Sequence, residues 1–180
     1  MKASEILFKI CGNCKPHERI LIVTDAGSLE IAKRVYEETA DFPNRVMMVM
    51  EETKMHGANP TPLVCAAMKE ADVIFGCTQF SLFHTPARRE ASAKGARFVN
   101  MVDYRPEMLE SGGLFADFFA LGDLCLNLAK VLDGKENCHI TTPAGTDFVC
   151  SIKGRTPNPQ IGRSPEPGMI SSPPDVECAT

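Results

Sequence analysis

The sequence predicts an α/β domain built on an open, mostly parallel sheet. Short apolar runs that do not alternate with polar residues recur along the chain, as strands buried on both faces of a sheet require. Segments with helical spacing of apolar residues separate these runs, and parallel strands need such crossovers. The fold class we predict is therefore a doubly wound sheet, Rossmann- or flavodoxin-like, followed by a C-terminal hairpin and a proline-rich tail.

Four apolar runs supply the predicted central strands, at 20–23, 45–50, 73–75 and 97–101. Helical patterns occupy 3–12, the stretch after Ser28, 61–71, 85–94 and 115–132. The helix at 85–94 has clear end signals, because Thr85 can cap it, Pro86 suits its first position and Gly95 can take a left-handed exit.

The last helical pattern carries an apolar stripe that we expect to pack against the sheet. The stripe consists of Leu121, Leu124, Leu128, Val131 and Leu132, and Asp133-Gly134 ends the pattern.

Changes in composition and residue pattern along the chain predict three parts. Residues 1–136 form the α/β sheet domain, and 137–155 form a β-hairpin around the turn at 143–146. Residues 156–180 hold six of the chain's 13 prolines and few apolar residues. We predict a linker there, or the start of a missing metal-binding domain, poorly ordered unless it docks on the body or on a second copy.

Composition excludes several classes of partner. The formal charge is -4 and the pI is near 5.6, with basic residues scattered, so we expect no nucleic-acid binding. Lys2, Glu5 and Lys9 interrupt any signal-peptide core, and no run approaches the ~18 apolar residues of a membrane span. We expect a cytoplasmic protein without membrane partners, whose eight cysteines form no structural disulfide.

The pair Cys11 and Cys14 has the spacing of a redox or zinc motif. The pair ends a predicted helix, whereas thiols are activated at the start of one, and no second ligand pair follows. We therefore predict no redox or zinc function here, and His56 is interpreted as a turn residue.

Polar residues follow two predicted strands and suggest a ligand site. Ligands of open α/β sheets bind beyond the carboxyl ends of the strands. The candidate ligand-binding residues are Ser28, Thr78, Ser81, His84 and Arg88. Two simpler interpretations remain open: Ser28 can cap its helix, and His84 can satisfy loop backbone. No motif identifies a catalytic residue.

Four stretches of the sequence carry a family resemblance: RILIVTDAGSLEIA at 19–32, HGANP at 56–60, EADVIFGCTQFSLFHTPARREASAKGARFVNM at 70–101 and TTPAGTDFVCSIKGR at 141–155. They resemble the N-terminal domain of the aminopeptidase T (leucyl aminopeptidase, thermophilic metallopeptidase) family and its relative, 2,5-dihydroxypyridine 5,6-dioxygenase. The HTPAR and TPAGTD segments are the most specific of these.

The resemblance implies an accessory domain of a metal-dependent aminopeptidase, a hydrolase of peptide substrates. The full-length family binds a divalent metal (zinc, cobalt, manganese or iron) mainly through a larger domain, so we expect none in this chain alone. The end of the chain is similar to a P-x-x-E-V segment whose glutamate is a metal ligand, which places Glu177 in that role. A solvated tail carboxylate is the alternative.

Two other functions stay open at this point. If the ring-cleaving relative is the better match, a single non-haem iron with His and Asp ligands would activate oxygen. A non-catalytic module that binds a small molecule is the third hypothesis. We also expect a homodimer.

Overall fold

The computed structural model describes residues 1–180, which form one five-stranded sheet and two two-stranded sheets. The strands are β1 (Ile20–Asp25), β2 (Arg45–Met50), β3 (Val73–Cys77), β4 (Arg97–Asn100), β5 (Asn137–Thr141), β6 (Asp147–Ser151), β7 (Asn158–Gln160), β8 (Ile170–Ser171) and β9 (Glu177–Ala179). The main sheet has the order β2-β1-β3-β4-β8, and every neighbouring pair in it is parallel. The predicted fold class is confirmed.

Four of the five helices lie between strands in chain order, as crossovers require, and one precedes the first strand. They are α1 (Ala3–Glu5), continued by a π-helical segment (Ile6–Cys11), then α2 (Leu29–Glu38), α3 (Pro62–Glu70), α4 (Pro86–Ala93) and α5 (Phe118–Leu132). Two short 3-10 turns lie at Pro106–Leu109 and Gly113–Phe115. None of the helices combines the length and the apolar character that a membrane span needs.

The end signals of α4 act as the sequence predicts. The hydroxyl of Thr85 accepts a hydrogen bond from the amide of Arg88 at 3.1 Å, and Pro86 occupies the first helical position. Gly95 follows with a φ of 103°, which is favourable for glycine alone.

The main sheet is covered on both faces, which explains why its strands are apolar without alternation. On one face Phe8 stacks on Phe75 with ring centroids 4.4 Å apart, and Phe42 packs against Phe8. On the other face Met68 of α3 belongs to a second core cluster with Ile74 and Phe98.

The proline-rich tail docks on the sheet. Its strand β8 pairs with β4 through Phe98–Ile170 and Val99–Ser171. The buried hydroxyl of Ser164 donates a hydrogen bond to the Ser171 hydroxyl at 2.9 Å. The tail is therefore held by hydrogen bonds within itself as well as by its pairing with the sheet. The three-part division stays a prediction, but residues on both sides of the predicted boundary at 156 share the main sheet.

The predicted hairpin is present. Strands β5 and β6 are antiparallel, with His139 opposite Val149 and Ile140 opposite Phe148. They form a sheet of their own and pair with no other strand.

The predicted packing of the α5 stripe against the sheet is wrong. Leu121, Leu124, Leu128 and Val131 are exposed, whereas the buried face of the helix carries Phe118, Gly122 and Cys125. That second face meets the tail: a Cβ on Gly122 would lie 3.4 Å from the Cβ of Ile161, and the Cys125 thiol donates to the carbonyl of Glu177 at 2.9 Å. The helix is apolar on both sides, and the face with small residues allows the tail strands to approach closely.

Candidate ligand-binding site

A polar pocket lies beyond the carboxyl ends of β3, β4 and β8, where open α/β sheets bind their ligands. We call it the sheet-edge pocket. It has a volume of about 320 Å³, within the range of small-molecule sites. Its lining consists of Ser81, Phe83, His84, Asn100, Asn158, Gln160, Ser172, Asp175 and Glu177. The loop after β3 forms one wall, and the tail strands β7 and β9 form another.

A hydrogen-bonded chain of three side chains joins the elements around the pocket. The hydroxyl of Ser81 donates to Asn100 Oδ1 at 3.3 Å, and Asn100 Nδ2 donates to the Ser172 hydroxyl at 3.2 Å. Ser81 Oγ also accepts from the amide of Phe83 at 3.1 Å. Asn100 is buried, so this network fixes the ends of β3, β4 and β8 relative to one another.

The aromatic wall of the pocket consists of Phe83 and His84, whose rings meet edge to face with centroids 5.0 Å apart. The His84 ring makes no hydrogen bond within the chain, and its side chain is exposed. Its two ring nitrogens are therefore available to a ligand.

Arg88 supports this wall from outside the pocket. Its Nε donates to the Phe83 carbonyl at 2.6 Å, and its guanidinium lies 5.6 Å from the centre of the Phe83 ring. Burial lowers the pKa of Arg88, and the neighbouring charge of Arg89 lowers it further. Arg88 therefore positions Phe83 and does not itself line the pocket.

Two carboxylates, Asp175 and Glu177, give the pocket its electrostatic character. Both line it, and His84 is the only basic side chain in the lining. A site with two carboxylates disfavours anions and favours ligands that donate hydrogen bonds. Hydroxyl and ring N–H donors fit this description.

Three of the predicted site residues are brought together by the structure. Ser81, His84 and Glu177 all line the sheet-edge pocket, while Ser28, Thr78 and Arg88 do not. The hydroxyl of Thr78, a buried residue, donates to the Phe80 carbonyl at 2.7 Å. The assignment of these residues to ligand binding stays a prediction.

Neighbouring residues cover the loop that carries Ser28, so it is not open to a ligand. The side chain of Gln79 lies over Gly27, so close that a Cβ on Gly27 would be 2.2 Å from Gln79 Cδ. Ser28 makes no side-chain capping bond. Instead, the buried carboxylate of Asp25 accepts from the amides of Ser28 at 3.0 Å and Gln79 at 2.8 Å. Asp25 thus fastens the loops after β1 and β3 together, a role that sequence reasoning missed.

Comparison with known proteins gives the family. The sequence model of the NicX family, described as 2,5-dihydroxypyridine 5,6-dioxygenase, matches residues 14–180. The chain belongs to this family. The match covers nearly the whole chain, including the tail that builds one wall of the sheet-edge pocket.

A solved structure of 2,5-dihydroxypyridine dioxygenase from Pseudomonas putida KT2440 has a similar fold. The TM-score is 0.65 at 14% sequence identity, and the similarity covers 94% of this chain but 51% of that chain. This chain thus spans about half the length of the solved dioxygenase. A search of curated proteins found no match.

The prediction of an aminopeptidase accessory domain is wrong. The family match is to the ring-cleaving dioxygenase, the alternative considered above, and nothing found supports aminopeptidase T, a hydrolase or a metallopeptidase. The four segments at 19–32, 56–60, 70–101 and 141–155 resemble both the aminopeptidase T family and the dioxygenase, so they do not distinguish the two.

The dioxygenase family raises the question of a metal centre in this chain. No group of three or more His, Cys, Asp or Glu side chains is arranged to hold a metal ion. His84, Asp175 and Glu177 line one pocket but do not form such a group. The residues present therefore do not fit a resident iron.

The cysteines offer no alternative centre. All eight are free thiols. Burial raises the pKa of Cys11 to about 12 and raises that of Cys14 still further, so neither thiol is activated.

Sequence reasoning missed most of the pocket lining. Asn100 is the last residue of β4. The rule that ligands bind beyond the carboxyl ends of the strands, which pointed to Ser81 after β3, could therefore have identified Asn100 as well. Ser172 and Asp175 lie in the tail, where no sequence signal predicted a strand of the main sheet.

Proposed function

We propose that this chain forms the substrate-binding part of a ring-cleaving dioxygenase that acts on a hydroxylated pyridine, with the sheet-edge pocket as the binding site. The observation that supports it most directly is the lining of that pocket: an aromatic wall faces hydrogen-bond acceptors at the ligand edge of the sheet. The family match supports the choice of a dihydroxypyridine over other small aromatic rings.

The pocket suits such a ligand in shape and in polarity. A planar ring can pack against Phe83, whose position is fixed by Arg88. The ring hydroxyls would donate to the carboxylates of Asp175 and Glu177, and a free nitrogen of His84 would accept or donate a further hydrogen bond. In this proposal these residues bind and orient the ring.

Oxygen chemistry is not assigned to this chain's own residues. Oxygen activation in a non-haem dioxygenase requires a divalent metal such as iron. Since the chain gathers no ligand set for it, we place only substrate binding here. The predicted metal role of Glu177 is replaced in this proposal by a role in binding the substrate hydroxyl.

The test is anaerobic calorimetric titration of 2,5-dihydroxypyridine into the purified chain. We expect saturable binding, weakened at least tenfold by Phe83→Ala and by His84→Ala, about 1.4 kcal/mol or more in binding free energy. His17→Ala is the matched control, since His17 is exposed and lies outside the pocket. Unsubstituted pyridine should bind more weakly because it lacks the donors. Binding that survives both pocket variants would place the ligand elsewhere and refute the proposal.

A further inference from the structure

Helix α5 has two apolar faces, of which only one is buried. Of its 15 residues, the polar ones are Asp123, Asn127 and Lys130, which share one stripe. Its buried face packs on the tail strands, as described above. An apolar helix face normally packs against another element, and the second apolar face of α5, its outer face, has no such partner within the chain.

The outer face has the spacing of a helix-packing seam. Leu121, Leu124, Leu128 and Val131 follow one another at intervals of three, four and three residues, and all are exposed, Leu124 to 65%. This is the a/d pattern of a coiled coil, whose side chains insert between those of a facing helix. We call these four residues the α5 seam.

We propose that the α5 seam is a dimer interface, occupied by the α5 seam of a second copy of this chain. A seam with a/d spacing packs best against a helix with a matching seam, and within this chain α5 is the helix that offers one. The apolar residues of α2, α3 and α4 that face the main sheet already belong to its two core clusters.

In an antiparallel arrangement about a two-fold axis, every residue of the α5 seam lies opposite a seam residue of the second copy. Leu124 of one copy packs against Leu128 of the second, and Leu121 packs against Val131. Positions of type a then meet positions of type d, as antiparallel helix pairs require, and no seam residue is left without a counterpart. Antiparallel packing also sets the helix dipoles in opposition.

The charges and the size of the seam fit self-association. The flanking positions hold Ala120, Cys125, Asn127 and Leu132, so no charged group meets its own copy across the axis. Asn127 carries both a donor and an acceptor and can pair with itself near the axis. A contact of this length buries on the order of 1,000 Å² in total, below the ~1,200 Å² of stable specific interfaces, so the dimer should be weak and dissociate at micromolar concentration.

Sedimentation equilibrium of the 180-residue chain tests the interface. At about 200 µM we expect a mass approaching twice the 19.6 kDa of one chain. Leu124→Glu should raise the dissociation constant at least tenfold, because it would bury a carboxylate against leucine. Leu63→Glu is the matched control: Leu63 is 64% exposed on α3, so the same change at equal exposure should leave the dimer intact. Circular dichroism verifies that both variants fold.

A photoreactive side chain at position 124 gives a second measurement. It should cross-link to the region of Leu128 in the other copy. A mass of 19.6 kDa at that concentration would show that something other than a second copy covers the seam, and the proposal would fail. A dimer insensitive to Leu124→Glu, or cross-links to a distant surface, would refute it equally.

Discussion

Removing the side chain of Asn100 should damage both the stability of the sheet edge and ligand binding. Asn100 Oδ1 accepts from Ser81 and Nδ2 donates to Ser172, and the residue is buried. Asn100→Ala deletes two hydrogen bonds worth about 1 kcal/mol each and leaves a small void. The expected loss is about 2–3 kcal/mol in the free energy of unfolding, which lowers the melting temperature by roughly 5–10 °C for a chain of this size.

Urea denaturation and titration of 2,5-dihydroxypyridine measure the two effects on the same preparation. We expect binding to weaken at least tenfold, because Ser81 and Ser172 lose the group that holds the two strand ends together. Asn44→Ala is the control, since Asn44 donates to the His17 carbonyl at an exposed site and its loss should cost less than about 1 kcal/mol. Unchanged stability together with unchanged binding in Asn100→Ala would refute the role assigned to this network.

Two further predictions concern stability. The folded-state pKa of Cys11 and of Cys77 is about 12, raised by burial from 9.0, so between pH 9 and 12 the unfolded chain releases protons that the folded chain retains. Stability should therefore fall as pH rises, by roughly 3 kcal/mol per pH unit from these two thiols, and the buried Cys14 thiol adds to the decline. Cys77→Ser should make the decline shallower in denaturation series at pH 8 to 10.5. Buried Arg97 donates to the Glu18 carboxylate and to the Asn13 carbonyl, so Arg97→Met should cost about 3 kcal/mol in urea denaturation. The double variant with Glu18→Gln should recover part of that loss; if it does not, the ion pair is not the cause.

The central sheet could be predicted from the sequence because its signal is local. Strands β1, β3 and β4 are buried along their whole length, so apolar residues run together in them. The edge strand β2 is only partly buried, yet the predicted strand at 45–50 matches it. The predicted strands at 20–23 and 73–75 were too short. Thr24 pairs with Cys77, and both residues lie beyond the ends of the predicted strands at 20–23 and 73–75. The pairing of β1 with β3 therefore extends past the apolar runs from which these strands were predicted.

The packing of the tail and of α5 could not be predicted because it depends on contacts between residues far apart in the sequence. Strand β8 has two residues and exists only because β4 offers an open edge. In α5 the longest side chains suggested the buried face, but the tail strands pack where Gly122 and Cys125 leave room. Side-chain size alone does not determine which of two apolar faces is buried.

The pocket and the α5 seam are consequences of the same packing event. Docking of the tail adds β8 to the main sheet, which brings Ser172 and Asp175 to the pocket, and it places β7 and β9 on the small-residue face of α5. The carbonyls of Gln160 and Glu177, two residues that line the pocket, both accept from the Cys125 thiol. Helix α5 is therefore the support of the pocket wall, and its leucine-rich face is left pointing away from it. A partner on the seam would stabilise that support without blocking the pocket, so the proposed dimer and the proposed substrate binding are compatible in one molecule.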